Sequence, residues 1–144
     1  MATRSLVRFA KREEGVSFSE HPERVEVQVY KHYDGYPEGH PVDLAEFLKD
    51  FKIVNGLGMD TNRVANGLEC LAAQYVAAFK NGPGDMYLEN PDAQYSDLNY
   101  ITYVWGDYSK GIWMSIFKVS WSNEDDKCIF VGKPQELIDK YDTN

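Results

Sequence analysis

The sequence predicts an α+β fold, in which a twisted, mostly antiparallel sheet packs against a layer of two central helices and a short helix closes the chain. Two strand-like runs come first, two helix-like segments occupy the middle, and several strand-like runs fill the last third. Helices grouped in mid-chain favour this class over regularly alternating strands and helices. The last runs are joined by segments of hairpin length, which implies antiparallel pairing.

The first two predicted strands are "SLVRFAK", 5–11, and "VEVQVY", 25–30. The second alternates apolar and polar residues with a period of two, which is typical of a half-buried strand. Its two faces are predicted to carry Val25, Val27 and Val29 on one side and Glu26, Gln28 and Tyr30 on the other.

Two amphipathic helices are predicted next. In the first, Asp43 and Glu46 have the spacing of an N-terminal capping box, and Asn55-Gly56 is predicted to end the helix. The second helix is predicted within residues 60–82, where large side chains form one face and small ones a nearly opposite face. We expect the small face to pack closely on the first helix.

Four further strands and a closing helix are predicted in the last third of the chain. Aromatic and β-branched residues dominate the strand runs, and Pro134 suits the first position of a helix. The runs are "MYLE" (86–89), "LNYITYVW" (98–105), "IWMSIFKVSW" (112–121), "KCIFVG" (127–132) and the helical "PQELIDKY" (134–141).

Length and composition indicate a single domain over residues 1–144. The formal net charge of −8 disfavours direct binding to nucleic acid, whose affinity depends on Lys and Arg. No run reaches the ~18 apolar residues of a membrane span, and the basic N-terminus lacks the apolar stretch of a secretory signal. Cys70 and Cys128 are isolated, which favours reduced thiols and a cytoplasmic location. No cofactor signature is complete, so no cofactor is predicted.

The segment "YKHYDGYPEGHP", 30–41, is the main candidate binding site. It concentrates aromatic, imidazole and carboxylate side chains directly after a strand. Asp34-Gly35 and the stretch 36–39 each favour a turn, so we expect a stiff loop. The residues predicted to bind are Tyr30, His32, Tyr33, Asp34, Tyr36, Glu38 and His40, together with Tyr108 of a later hairpin.

His32 and Asp34 leave three roles open. While the strand continues, residues two apart share a face, so an imidazole beside a carboxylate could act as a catalytic base or as two metal ligands. Glu38 and His40 could complete a metal set, with His21 remote, but the spacing matches no zinc signature and no metal site is predicted. Alternatively, Asp34 caps turn amides and His32 donates to a backbone carbonyl.

The loop resembles a motif in small uncharacterised proteins of phages and bacteria. In that motif a strand is followed by His-x-Asp-Gly-Tyr-Pro, a loop and an apolar helix. Here it is "VYKHYDGYPEG", with Tyr33 at the variable position, and the resemblance covers residues 25–48. It implies a phage or bacterial origin and brings no activity, substrate or cofactor with it.

A hairpin is the second candidate. The segment "WGDYSKG", 105–111, separates two strand runs and carries an aromatic tip with a charge pair. Exposed Trp and Tyr on such a hairpin are common at binding hot spots. The alternative is that Trp105 and Trp113 form a cross-strand pair that stabilises the hairpin without a partner.

Two polar segments are interpreted as turns. "NEDD", 123–126, lacks the alternating spacing of a calcium loop, so a solvated turn is predicted. "NGLGMD", 55–60, lacks the third glycine and the lysine of a phosphate loop, so a turn between helices is predicted.

Three functions from different classes remain open. The first, which we favour, is binding of a small ligand or a protein partner by the loop, as in a phage accessory protein that acts on a host factor. The second is a small enzyme or metal site that uses His32 and Asp34. The third is a structural protein that assembles into homo-oligomers.

Overall fold

The computed structural model describes residues 2–12, 17, 19–22, 24–54, 63–94, 97–107, 109–122 and 124–143. Within those ranges the chain forms eight strands and three helices, which confirms the predicted α+β class. The strands are β1 (Ser5–Lys11), β2 (Arg24–Lys31), β3 (Lys52–Val54), β4 (Val64–Asn66), β5 (Met86–Glu89), β6 (Tyr100–Asp107), β7 (Gly111–Lys118) and β8 (Lys127–Gly132). The helices are α1 (His40–Leu48), α2 (Gly67–Phe79) and α3 (Pro134–Tyr141).

Six of these strands form one sheet in the order β5-β2-β1-β6-β7-β8. The pairing of β1 with β6 is parallel and the other four pairings are antiparallel, so the sheet is mostly antiparallel as predicted. Strands β3 and β4 form a separate parallel pair. The parallel pairing arises because the chain, after α2, first adds β5 at the edge beside β2 and then crosses to the other side of β1 as β6.

The helices cover one face of the sheet and enclose the larger core, which includes Phe9, Leu44 and Tyr75. Helix α2 contacts β1, β2 and β6, whereas α1 lies mainly against α3 and meets α2 through large side chains, in the pairs His40–Tyr75 and Phe47–Phe79. The predicted packing of the small face of α2 on α1 is therefore wrong, and Ala73 and Ala77 on that face are exposed. None of the described helices is long and apolar enough to cross a membrane.

The second face of the sheet is covered as well, by chain segments that connect strands. Tyr103 and Trp105 are buried on this face, in a cluster that includes Leu98. The ring of His21 stacks on Phe117 with 4.1 Å between the ring centroids. Aromatic side chains on both faces of the sheet are therefore part of a core.

Strand β2 changes face partway along its length. Val27 and Val29 contact the helix-side core as predicted, but Val25 packs in the cluster on the second face. The pairing with β1 skips Glu26, and this β-bulge reverses the alternation. Gln28 is buried too, so β2 is not the half-buried strand that its pattern predicted.

Both central helices are shorter than predicted. Helix α1 begins at His40 with Pro41 in its first turn, where a missing amide hydrogen costs nothing, so Asp43 lies inside the helix and does not cap it. It ends before β3. Helix α2 begins after Val64–Asn66, which form β4. The helix boundaries predicted within 55–61 lie outside the described residues.

Candidate functional site

The candidate loop is fixed to the body of the domain by backbone hydrogen bonds. The Gly35 amide donates to the Thr3 carbonyl at 3.0 Å, and the His40 amide donates to the Asp34 carbonyl at 2.7 Å. These bonds tie the loop to the start of the chain and to the start of α1. The loop is a stiff corner, as predicted.

Of the two predicted turns, the one at 36–39 forms, whereas Asp34 and Gly35 lie in no hydrogen-bonded turn within the described range 24–54, and the positive φ expected at Gly35 falls on Asp34. Asp34 adopts the left-handed region with φ 59°, which its short polar side chain tolerates. Glycine is required at position 35 because there is no room for a side chain: a Cβ on Gly35 would lie 2.5 Å from the Cβ of Ser5. The second turn closes where the Gly39 amide donates to the Tyr36 carbonyl at 2.9 Å.

Asp85, in the turn before β5, anchors the corner and was not predicted. Its carboxylate accepts hydrogen bonds from Lys31 Nζ at 2.7 Å and from the Tyr33 amide at 3.1 Å. Its carbonyl accepts the His32 amide at 2.8 Å. Although burial raises it, these bonds to Lys31 and Tyr33 hold the pKa of Asp85 below its usual value.

One sequence signal pointed to this anchor. Lys31 continues the series of inward-facing valines of β2, and it is buried. A buried ammonium needs a carboxylate partner, because desolvation is otherwise too costly. The partner is 54 residues away in the chain, so the sequence pattern could not identify it.

Four rings form a continuous surface on the outer side of the corner: Tyr30, His32, Tyr33 and Tyr87, called here the aromatic corner. Ring centroids lie 6.0 Å apart for Tyr30 and His32, 4.6 Å for His32 and Tyr33, and 6.1 Å for Tyr30 and Tyr87. The Tyr30 hydroxyl and His32 Nδ1 share a hydrogen bond of 2.9 Å. Tyr33 is 52% exposed and Tyr87 is 50% exposed. Tyr87 enters the site because β5 pairs with β2, which the sequence alone did not show.

The expected pair of His32 and Asp34 does not form. The Asp34 carboxylate accepts a long hydrogen bond of 3.4 Å from the Tyr36 hydroxyl, and no hydrogen bond or ion pair between described residues joins it to His32. Strand β2 ends at Lys31, so the two side chains no longer share a strand face. Across the described ranges, no three His, Cys, Asp or Glu side chains converge to hold a metal ion.

His40 lies on the inner side of the corner. As the first residue of α1 it is only 4% exposed, and its Nε2 shares a hydrogen bond of 2.6 Å with the Tyr75 hydroxyl. Burial, assisted by the charge of Lys31 and opposed by Asp85, lowers the pKa of His40 to about 3. The prediction that His40 belongs to an exposed binding loop is therefore corrected, because the early helix start turns it inward. Glu38 remains exposed in the second turn.

A second polar cluster lies on the face of the sheet that the helices do not cover. His21 Nε2 is hydrogen-bonded to Asp126 Oδ2 at 3.0 Å, and His21 Nδ1 to the Tyr103 hydroxyl at 2.6 Å. Arg8 Nη1 donates to the same hydroxyl at 2.9 Å, and the Ser120 amide donates to the other Asp126 oxygen at 3.0 Å. Burial lowers the pKa of His21, and Asp126 opposes that shift. Both imidazole nitrogens are hydrogen-bonded and the phenol is buried, so the polar atoms of this network, called here the closed network, are satisfied within the protein. His21 and Asp126 also line two cavities on this face.

Within 124–126, Glu124 and Asp125 are exposed, as predicted for a solvated turn, but Asp126 is half-buried. The Asp126 side chain keeps 23% of its surface and binds two partners from other segments. His21 and Asp126 are 105 residues apart in the chain, so no local pattern linked them.

At the hairpin, Trp105 faces Trp113 across the ladder, which confirms the predicted cross-strand pair. Trp105 is buried and Trp113 is half-buried. Tyr108, the hairpin residue predicted to bind, lies outside the described residues.

Comparison with protein-family models, with curated proteins and with solved structures finds no match for this chain.

Proposed function

We propose that this protein binds a protein partner through the aromatic corner. The observation that carries the proposal is a continuous set of four rings, two of them half exposed, on a backbone fixed by Asp85. Exposed tyrosines on a rigid backbone offer a large contact area at little entropic cost. Tyr33 and Tyr87 belong to neither core cluster, so their half-exposed rings are accessible to a partner.

The shape of the corner favours a protein over a small ligand. Small ligands bind in concave pockets that bury most of their surface. Four cavities between described residues are lined by other segments, three on the second face or beside β8 and one at the hairpin. The outward rings of the corner suit a complementary protein surface.

The charge around the rings favours a basic partner. Asp34 and Glu38 are exposed at the edge of the corner, and so is Asp43 on the first turn of α1. Burial raises the pKa of Asp43, and the charge of Asp34 raises it further, so these two carboxylates are close enough to interact. The two ammonium groups at the corner already have partners. Lys31 Nζ binds Asp85 Oδ2 and the Tyr33 carbonyl at 2.7 and 3.0 Å. Lys80 Nζ, 5.6 Å from the Tyr87 ring centroid, binds the carbonyls of Gly84 and Met86 at 2.7 and 2.8 Å.

The setting of this interaction is part of the proposal. Both cysteines are free thiols, which suits a reducing compartment such as the cytoplasm. A phage accessory protein that binds a basic host factor through the loop motif would fit this surface. The negative net charge agrees with a protein partner in place of nucleic acid.

A random-peptide display library tests the proposal, because it samples many partner sequences at once. Wild-type protein and the Tyr33→Ser/Tyr87→Ser variant are panned in parallel, and peptides enriched on the wild type are synthesised. We expect these peptides to be basic, to carry an apolar side chain and to bind the double variant at least about tenfold more weakly.

The matched control is Trp121→Ser, because Trp121 is 64% exposed and lies outside the aromatic corner. It should bind the recovered peptides as the wild type does. Peptides that bind wild type and double variant equally, or that are consistently acidic, would overturn the proposal.

Self-assembly is a second candidate, favoured by one observation. Strand β5 is an edge strand of the sheet and Leu88 on it is 71% exposed. An exposed edge strand with an apolar side chain can pair with another chain. Sedimentation equilibrium over a wide concentration range tests it: a dimer that Leu88→Lys dissociates supports assembly, and a monomer throughout rejects it.

A further inference from the structure

A cavity at the β6–β7 hairpin is separate from the aromatic corner and has a different chemistry. It encloses about 260 Å³ between the end of β1 and the hairpin. Its lining residues are Lys11, Arg12, Trp105, Gly106, Asp107, Lys110 and Trp113. Two indoles and three cations thus surround one small space in a chain of net charge −8.

The indoles present ring carbon to the cavity. Trp105 Nε1 donates to Ser115 Oγ at 3.2 Å, and Trp113 Nε1 donates to the Lys110 carbonyl at 3.1 Å. Both N–H groups already have acceptors and Trp105 is only 2% exposed, so the half-buried ring of Trp113 is the stacking surface left for a ligand. Lys133 Nζ lies 5.6 Å from the centroid of that ring. The cross-strand register holds the two indoles opposite each other.

The cations give the cavity a positive charge. The one lining carboxylate, that of Asp107, accepts hydrogen bonds from the Ser109 amide, the Ser109 hydroxyl and the Lys110 amide. Although burial raises it, these bonds lower the pKa of Asp107, which keeps it committed to the turn. The Lys110 ammonium forms no ion pair with a described residue.

Lys11 is also available to a ligand. Its Nζ lies 3.8 Å from Glu26 Oε1, a long contact, while Arg24 Nε approaches the same oxygen at 2.7 Å. Glu26 is thus neutralised mainly by Arg24. An exposed and loosely paired ammonium can turn toward an anion at small cost.

At Gly106 the hairpin backbone lies too close to Gly111 to carry a side chain. A Cβ on Gly106 would lie 2.2 Å from the Gly111 carbonyl oxygen, and Gly106 has φ 146°. Only glycine fits there.

We propose that this cavity binds a small planar anion, namely a single aromatic or heteroaromatic ring that carries one phosphate or carboxylate group. The ring packs against Trp113 and the anionic group lies among Lys11, Arg12 and Lys110. A volume of about 260 Å³ is below the roughly 300–1,000 Å³ of typical small-molecule sites, which excludes dinucleotide cofactors.

Tryptophan fluorescence measures the binding directly, because two of the three tryptophans line the cavity. The probes are phenyl phosphate and benzoate, with inorganic phosphate and benzyl alcohol as the separated halves of the ligand. We expect saturable quenching by at least one ring-bearing anion, and binding at least about tenfold weaker for each half.

Two exposed cations supply variants that should fold. Lys110→Gln and Lys11→Gln are each expected to weaken binding by about three- to fivefold, and added salt should weaken it further. Lys118→Gln, at the far end of the same strand β7, is the matched control and should leave the affinity unchanged. The phosphate and carboxylate probes identify which acid group is preferred.

Two results would overturn the proposal. One is the absence of saturable quenching by every ring-bearing anion. The other is binding that Lys110→Gln, Lys11→Gln and salt all leave unaltered. Neither result depends on the peptide experiment, since the aromatic corner shares no residue with this cavity.

Discussion

The aromatic corner around His32 and the closed network around His21 differ in how their polar atoms are used. In the network, each nitrogen of His21 and the hydroxyl of Tyr103 have partners inside the protein. In the corner, the rings of Tyr33 and Tyr87 are half exposed while the anchoring groups lie beneath them.

This difference separates residues that stabilise the fold from residues that are available to a partner. A buried polar group must be satisfied within the protein, and the hydrogen bonds that satisfy it also hold its segment in place. An exposed ring on a fixed backbone keeps its contact surface. The carboxylate, imidazole and phenol of the His21 network therefore join segments of the fold that are distant in the chain.

The largest expected effect concerns His40, whose buried ring is hydrogen-bonded inside the protein. Its pKa falls from 6.5 in the unfolded chain to about 3 in the folded protein, so below about pH 6.5 the unfolded state binds the extra proton. Stability from this group is complete above pH 6.5 and is lost as the pH falls toward 3, by about 3 kcal/mol between pH 7 and pH 4. Urea unfolding at both pH values measures it.

His40→Gln is the control for that prediction, since it keeps a hydrogen-bonding side chain and removes the titration. Its unfolding free energy should fall less steeply with acid than that of the wild type. Equal slopes would show that His40 is not buried as a neutral ring.

The next effect tests the anchor of the corner. Asp85→Ala removes the partner of buried Lys31 and the acceptor of the Tyr33 amide. We expect a loss of about 2–3 kcal/mol in urea unfolding, less than for a fully buried pair because the Asp85 side chain keeps 42% of its surface. Loss of peptide binding should accompany it. A variant as stable as the wild type would mean that another group anchors the corner.

A smaller effect tests the closed network. Tyr103→Phe leaves His21 Nδ1 and Arg8 Nη1 without their shared partner, and should cost about 1–3 kcal/mol. Tyr100→Phe, on the same strand but only half-buried, should cost clearly less. Equal costs for the two variants would contradict the role of the Tyr103 hydroxyl in closing the network.

The smallest expected effect is on the exposed rings. Tyr33→Ser/Tyr87→Ser should change the free energy of unfolding by less than about 1 kcal/mol, because both side chains are half exposed. Differential scanning calorimetry checks this. A large drop in Tm would show that the two tyrosines stabilise the fold. The aromatic corner would then not differ from the network in this respect.

Much of the fold could be predicted from local patterns. Periodicity and turn residues located β1, β5, β8 and α3 at their observed bounds. The errors came where two local signals competed. Pro41 suits a first helical turn better than Asp43 suits a cap, and the bulge at Glu26 leaves the alternation of β2 unchanged in the sequence while it reverses the faces.

The candidate site was predicted only in part, because its residues come from distant parts of the chain. The rings of Tyr30, His32 and Tyr33 were found within one short segment. Tyr87 and Asp85 join them through strand pairing, which no local pattern encodes. The sequence patterns also predicted interactions between polar side chains that are close together in the chain. In the structure, buried polar side chains have partners that are far away in the chain.

The most direct test of the central claim is an amide NMR titration of the ¹⁵N-labelled protein with a basic peptide recovered by panning. We expect the largest shift changes to fall on residues 30–36 and 84–88. They should vanish in Tyr33→Ser/Tyr87→Ser, while the spectrum of the free variant remains that of a folded protein. Shift changes centred on the hairpin or on the His21 network, with 30–36 unmoved, would contradict the central claim.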